Sequence, residues 1–242
     1  MKDSLMNKVF KPSQEEVIKK AIERAVKLVD LPYRYKDKCF DNFDTGRLHN
    51  SSAELIINSL REYVDNFINN RRKNNWIVLI GECGVGKTHL AAAVLKGAAG
   101  KQAEYTARRQ MNKHYGGDPN QGREFIFITS SDLIQMIKYS YDCDSISERN
   151  VLEKYKNCQM LVIDDLGTEK ASEWYQEKLF QILNYRHNEM LPTVITSNLN
   201  GRELKNQIGK RLFDRIIEVA GNGKNLWKLK AENYRKDKFV AS

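Results

Sequence analysis

The chain has 242 residues, 41% of them hydrophobic, and a formal net charge of +9. That length suits one domain with room for a sizeable core, and no apolar run reaches the ~18–20 residues that a membrane span needs. The polar N-terminus, MKDSLMNKVFKPSQEE, lacks the apolar stretch of a secretion signal, so a soluble cytoplasmic protein with no membrane contact is expected.

Excess positive charge favours polyanions, because contact with nucleic acid releases condensed counterions. The bland alternative is a basic surface without a specific partner. The four cysteines, Cys39, Cys83, Cys143 and Cys158, form no C-x-x-C pair, and no histidine stands at a zinc-ligand spacing. Free thiols in a reducing compartment are expected.

In chain order, residues 13–30 predict a helix. Ser13 and Glu16 make a capping box, and Ile18, Ala21, Ile22, Ala25, Leu28 and Val29 share one stripe. Pro32 ends it and opens an aromatic-rich stretch, 31–44; a second helix is predicted over roughly 51–70. Strands and helices then alternate. WIVLI (76–80), EFIFIT (124–129), MLVID (160–164), TVITS (193–197) and NLWKLK (225–230) read as strands, with helical patterns at 87–98, 131–140, 171–190 and 201–216. Continuous apolar strands are covered on both faces, and this alternation builds a parallel sheet, so a layered α/β fold is expected. The connection 97–123 is far longer than a crossover needs. It reads as an insert, either a contact for DNA or a partner, or a solvated loop.

The stretch GECGVGKTH, 81–89, carries G-x-x-x-x-G-K-T between an apolar strand and a helix, the setting a phosphate-binding loop requires. Backbone N–H groups from Cys83 to Thr88 and the helix N-terminus offer positive potential to phosphates. Gly81, Glu82, Cys83, Gly84, Val85, Gly86, Lys87, Thr88 and His89 are therefore the nucleotide-binding candidates. Lys87 would reach the β- and γ-phosphates, and Thr88 would coordinate Mg²⁺. A buried strand ending in two carboxylates, Asp164 and Asp165, is costly unless a cation meets them. Asp164 would hold the metal and Asp165 would orient or deprotonate water, the alternative being a solvated turn. Asn198 follows a β-branched strand; if that strand lies beside the one ending at Asp164, it would help place the water, and otherwise it caps the next turn. Arg211 and Arg215 lie four apart on a predicted helix and share a face. They are either a pair that completes a neighbour's site or a salt-bridged surface beside Asp214.

These segments together resemble AAA+ ATPases, and more narrowly the DnaC/DnaI-type replicative helicase loaders and the related IstB transposition ATPases. The resemblance runs from FDNFD (40–44) through GECGVGKTHL (81–90), FITSSDLI (127–134), LVIDDLGTE (161–169), TVITSNLN (193–200) and GKRLFDRI (209–216) to LWKLKAENYRKD (226–237). It implies a three-layer P-loop AAA+ domain with a five-stranded parallel sheet, no C-terminal helical lid and a short N-terminal helical extension. Residues 1–30 would be that extension, a minimal helicase-binding element or a linker packed on the core, and 31–242 the ATPase domain with an insert at 97–123. The implied ligands are ATP and Mg²⁺, with hydrolysis at subunit interfaces. Arg215 matches the arginine finger, with Arg211 as its helper, Asn198 matches the polar sensor, and Phe43 stands in the stretch that borders the adenine. The implied partners are a DnaB-type replicative helicase, single-stranded DNA and further copies of the chain. The rival reading is an IstB-like ATPase that assists transposition on duplex DNA; a nucleotide-gated binder that hardly hydrolyses is a third.

Overall fold

A computed structural model describes residues 12–47, 53–70, 73, 75–112, 124–142, 145–169 and 172–230. The five expected strands form β1 (Trp76–Gly81), β2 (Phe125–Thr129), β3 (Met160–Asp164), β4 (Thr193–Ser197) and β5 (Leu226–Leu229). They make one sheet in the order β2-β3-β4-β1-β5, and every pairing is parallel. Successive strand side chains point to opposite faces. Ile77, Leu79, Met160, Val162 and Val194 accordingly enter one core, and Trp76, Val78, Ile80, Leu161, Ile163 and Ile195 the other. Two covered faces favour apolar residues on both sides of a strand, which is why β1 and β3 read as nearly unbroken apolar runs.

The helices are α1 (Gln14–Leu28), α2 (Ala53–Asp65), α3 (Lys87–Met111), α4 (Ser130–Tyr139), α5 (Glu148–Asn157), α6 (Glu173–Asn188), α7 (Gly201–Ile208) and α8 (Lys210–Val219). Ile56, Leu60 and Val64 of α2 and Leu90, Val94 and Leu95 of α3 fill the first core. Leu133, Leu152, Leu179, Leu183, Leu212 and Ile216, from α4, α5, α6 and α8, fill the second. The result is the expected three-layer α/β fold. Ser13 caps α1 as expected: its Oγ accepts from the Glu16 amide at 3.2 Å while its own amide donates to the Glu16 carboxylate at 3.0 Å.

Three local expectations change. The first half of the supposed insert at 97–123 is helix, because α3 continues to Met111. Its continuation carries a stripe of small residues, including Ala99 and Ala107, which are buried against neighbours rather than exposed. Such a stripe gives a weak hydrophobic signal but allows close helix approach. A Cβ at Gly97 would come within 2.7 Å of Val64 in α2, and one at Gly100 within 3.3 Å of Ile22 in α1. Residues 113–123 lie outside the described residues. The pattern at 201–216 splits into α7 and α8 at Gly209, whose φ of +84° suits glycine. Between α4 and β3 there is an unanticipated helix, α5, capped by Ser147 and buried through Val151, Leu152 and Tyr155. Among the described residues no helix is long and apolar enough to cross a membrane.

β4 lies between β1 and β3, so the carboxyl ends of these three strands stand side by side. That is the position at which open α/β sheets place ligands. A separate groove of about 900 Å³ runs between α1, the second half of α3 and edge strand β2, away from those strand ends.

Candidate nucleotide-binding site

β1 delivers the glycine loop and α3 begins directly after it, at Lys87. Val85 is buried and anchors the loop, while Glu82 and Cys83 are exposed. Gly86 has φ +97°, and a Cβ there would come within 2.5 Å of the Phe43 ring. The loop thus needs glycine both for its backbone and for the aromatic ring laid against it. Phe43 in turn meets His89 edge to face, with centroids 5.0 Å apart. His89 Nε2 lies 2.8 Å from the Cys39 carbonyl oxygen, so Nε2 carries the proton. Burial holds the His89 pKa below the ordinary histidine value, partly opposed by that carbonyl and reinforced by nearby Lys38 and Lys96.

The strand ends are joined by a continuous polar network. Lys87 is only 4% exposed, and its Nζ donates to the carbonyls of Gly81 at 2.8 Å and Glu82 at 2.7 Å. Nζ also donates to Asn198 Oδ1 at 2.7 Å, and Asn198 Nδ2 donates to Asp165 Oδ1 at 3.0 Å. Asn198 therefore bridges the loop lysine and the second carboxylate. Asp164, likewise 4% exposed, accepts from Thr196 Oγ1 at 2.6 Å and from Thr88 Oγ1 at 3.1 Å. Thr196 meanwhile accepts from the Asp165 amide at 2.9 Å. That bond helps hold Asp165 in a left-handed conformation at φ +56°, a strained state for a non-glycine residue.

Burial raises the Asp164 pKa above the usual aspartate value. The Thr196 and Thr88 hydroxyls and the Lys87 charge pull it down, and Asp165 pushes it further up. A buried carboxylate in that condition favours a cation. Thr88 and Asp164 together offer oxygen donors, which suit Mg²⁺. Among the described residues no group of three or more His, Cys, Asp or Glu side chains could hold a metal. A hard ion at these two residues would draw its other ligands from phosphate and water, as Mg²⁺ does with nucleotides.

Sequence reasoning therefore named residues that the fold does bring together: the loop from Gly81 to His89, Phe43, Asp164, Asp165 and Asn198. Thr196, near the end of β4 just ahead of Asn198, is fully buried and bonds both carboxylate residues. Its signal was weak, because Thr193 and Ser197 of the same strand also carry buried hydroxyls. Arg211 and Arg215 make no described bond to this network. Their guanidinium carbons lie 4.6 and 5.0 Å from the centre of the Phe180 ring, which α6 presents to α8.

The model of the family described as "IstB-like ATP binding protein" matches residues 4–239. The chain belongs to this family. It is an AAA+ protein related to the DnaC and DnaI helicase loaders. The replicative helicase loader DnaC of Escherichia coli K12 is 26% identical over 186 residues, 77% of this chain, and the match spans 65% of that loader's length. An ATP-binding protein of insertion sequence IS5376 from Geobacillus stearothermophilus is 26% identical over 235 residues, 94% of this chain and 79% of that protein. Among solved structures, a DnaC helicase loader superposes with TM-score 0.62 and 27% identity, covering 82% of this chain and all of that one. DnaI superposes with TM-score 0.62 at 21% identity, covering 87% of this chain and 98% of that one, and supports the fold.

Proposed function

We propose that this protein is a Mg²⁺-dependent ATPase that loads a DnaB-type replicative helicase onto single-stranded DNA during replication initiation. The observation that carries this reading is the Lys87–Asn198–Asp165 chain, which ties the phosphate loop to the paired carboxylates. In it, the amides from Cys83 to Thr88 bind phosphate, and Lys87 trades its loop carbonyls for phosphate oxygens. Thr88 and Asp164 hold Mg²⁺, which neutralises phosphate charge. Asp165 orients the attacking water and accepts its proton, and Asn198 fixes Asp165 in place. Phe43, edge-on to His89, borders the base. Arg211 and Arg215, unbonded to their own chain's network among the described contacts, serve the site of an adjacent subunit. Self-association through the ATP site follows. Residues 1–30 form an extension on the ATPase domain of 31–242, and α1 is its element for helicase contact.

For DNA, the net positive charge supplies attraction. An exposed aromatic patch supplies stacking: Tyr139 and Tyr141 are 56% and 52% exposed. Beside them Lys138 lies over the Trp174 ring at 5.7 Å, and the Trp174 indole donates to the Tyr141 hydroxyl at 3.3 Å.

The second reading, an IstB-like ATPase that assists transposition on duplex DNA, is favoured by one observation: the insertion-sequence relative aligns over 94% of this chain. Size-exclusion chromatography with light scattering separates the two. The protein is mixed with the DnaB-type helicase of its source, with and without ATP. A co-eluting, ATP-sensitive assembly supports the loader. No assembly, together with ATP-dependent polymers on duplex DNA alone, supports the transposition helper.

A further inference from the structure

We infer that Phe180 is the positioning residue for Arg215, holding the guanidinium ready for the adjacent subunit's nucleotide; the inference rests on the proposed role of Arg215. Two arginines four apart on one helix face repel each other. No described carboxylate lies within ion-pair distance of either one, Asp214 included, so charge pairing does not explain how they are held. Both instead lie over the Phe180 ring, one guanidinium at 4.6 Å and the other at 5.0 Å from its centre. The negative face of an aromatic ring attracts cations and spends none of their hydrogen-bond donors. Arg215 Nη1 is buried and has no described hydrogen-bond partner. The stack therefore holds the arginine without engaging this donor, and a turn of the guanidinium out of its own chain's cover, with the ring still beneath it, would offer the donor to an incoming anion.

The ring sits on a firm base. Its neighbours on α6, Leu179 and Leu183, are buried at 1% and 0% exposure. One turn earlier, Gln176 Nε2 donates to the Gln207 carbonyl at 2.8 Å, fixing the end of α7 just before α8 begins. Leu212 and Ile216, each next in sequence to one of the arginines, pack in the same core as Leu179. α6 thus sets both where the ring stands and how α8 is turned above it. A phenylalanine that merely filled space at this point would leave the arginines free to swing into solvent.

The test measures ATP turnover and ATP affinity for Phe180→Leu, Phe180→Trp and Arg215→Ala, at a protein concentration where wild-type turnover per subunit has reached its plateau. Phe180→Leu keeps apolar volume and removes the ring. It is expected to lower kcat about tenfold with unchanged ATP affinity, and Phe180→Trp, the stronger cation acceptor, to restore it. Mixing Phe180→Leu with Asp165→Asn subunits is expected to recover turnover, because the Asp165→Asn chain supplies a correctly held arginine to an intact acid site. Three results would overturn the inference. Wild-type kcat in Phe180→Leu beside an inactive Arg215→Ala shows that the arginine needs no ring. Weakened ATP binding in Phe180→Leu, unrelieved by mixing, shows a general packing role. Wild-type kcat in Arg215→Ala removes the arginine's own role and is a failure of the proposed function itself.

Discussion

The carboxyl ends of β1, β3 and β4 and the outer face of α8 are opposites in how they treat charge. At the strand ends, buried Lys87 bonds the loop carbonyls and half-buried Asn198, and buried Asp164 accepts from Thr88 and Thr196, all within the chain. On α8, two cations share a neutral ring and no described acid. Burying a charge is costly unless it is paired, so the first region is closed and internally balanced. The second is positive charge with no ion pair to a carboxylate among the described residues. One chain therefore carries an internally paired acid site and a pair of arginines with no described bond to it. In the proposed function the two act across a subunit interface, the arginine of one chain meeting the nucleotide held by the next.

Breaking the closed region should remove nucleotide binding, on which every later step depends. Lys87→Ala removes the ammonium that links the loop to Asn198, and ATP affinity measured by calorimetry should fall by about 100-fold or more. Breaking the open region should spare binding: Arg215→Ala should keep wild-type ATP affinity and lose about 10³-fold in turnover. Asp165→Asn should also bind ATP, with turnover lower by about 10²–10³-fold. Mixing those last two variants, each inactive alone, should return partial activity, since a mixed interface unites an intact acid with an intact arginine. Absence of recovery at any ratio would place both groups in a single chain's site and end the contrast drawn above.

A smaller effect tests how costly the closed region is. Burial raises the Asp164 pKa in the folded chain. A raised carboxylate contributes its stability below its unfolded pKa, and loses it as pH rises through the folded value. Asp164→Asn should therefore stabilise the nucleotide-free protein at neutral pH by about 1 kcal/mol while Mg²⁺-dependent turnover disappears. Thermal melts across pH should show the gain vanishing in acid. The smallest effect concerns His89, whose pKa burial lowers. Stability is then present above its unfolded pKa and is lost as pH falls through the lowered folded value. The melting temperature of the wild type should decline more steeply in mild acid than that of His89→Gln.

Much of this molecule was legible before any coordinates. Ser13 and Glu16 announced a helix start because capping is a contact between residues three apart. The middle strands announced themselves because a sheet covered on both faces favours apolar or β-branched residues along the run. The glycine loop was legible because its backbone demands glycine at fixed spacings. The extension of α3 was not, because Ala99, Gly100 and Ala107 earn their burial from α1, and small residues carry little hydrophobic signal alone. Nor was the break at Gly209, where a periodic pattern continued across a residue that only the folded backbone shows at positive φ.

The sequence by itself determined the local elements and the chemistry available at their ends, since both depend on neighbours within a few residues. Tertiary structure alone decided which ends meet. The insertion of β4 between β3 and β1 brings Asn198 between Lys87 and Asp165, over separations of 111 and 33 residues. The packing of α6 beneath α8 places Phe180 under two arginines that the sequence had offered only as a pair on a helix face. Such meetings depend on the order in which strands join the sheet and on which helix faces fit together, and these are set by the packing of the whole core.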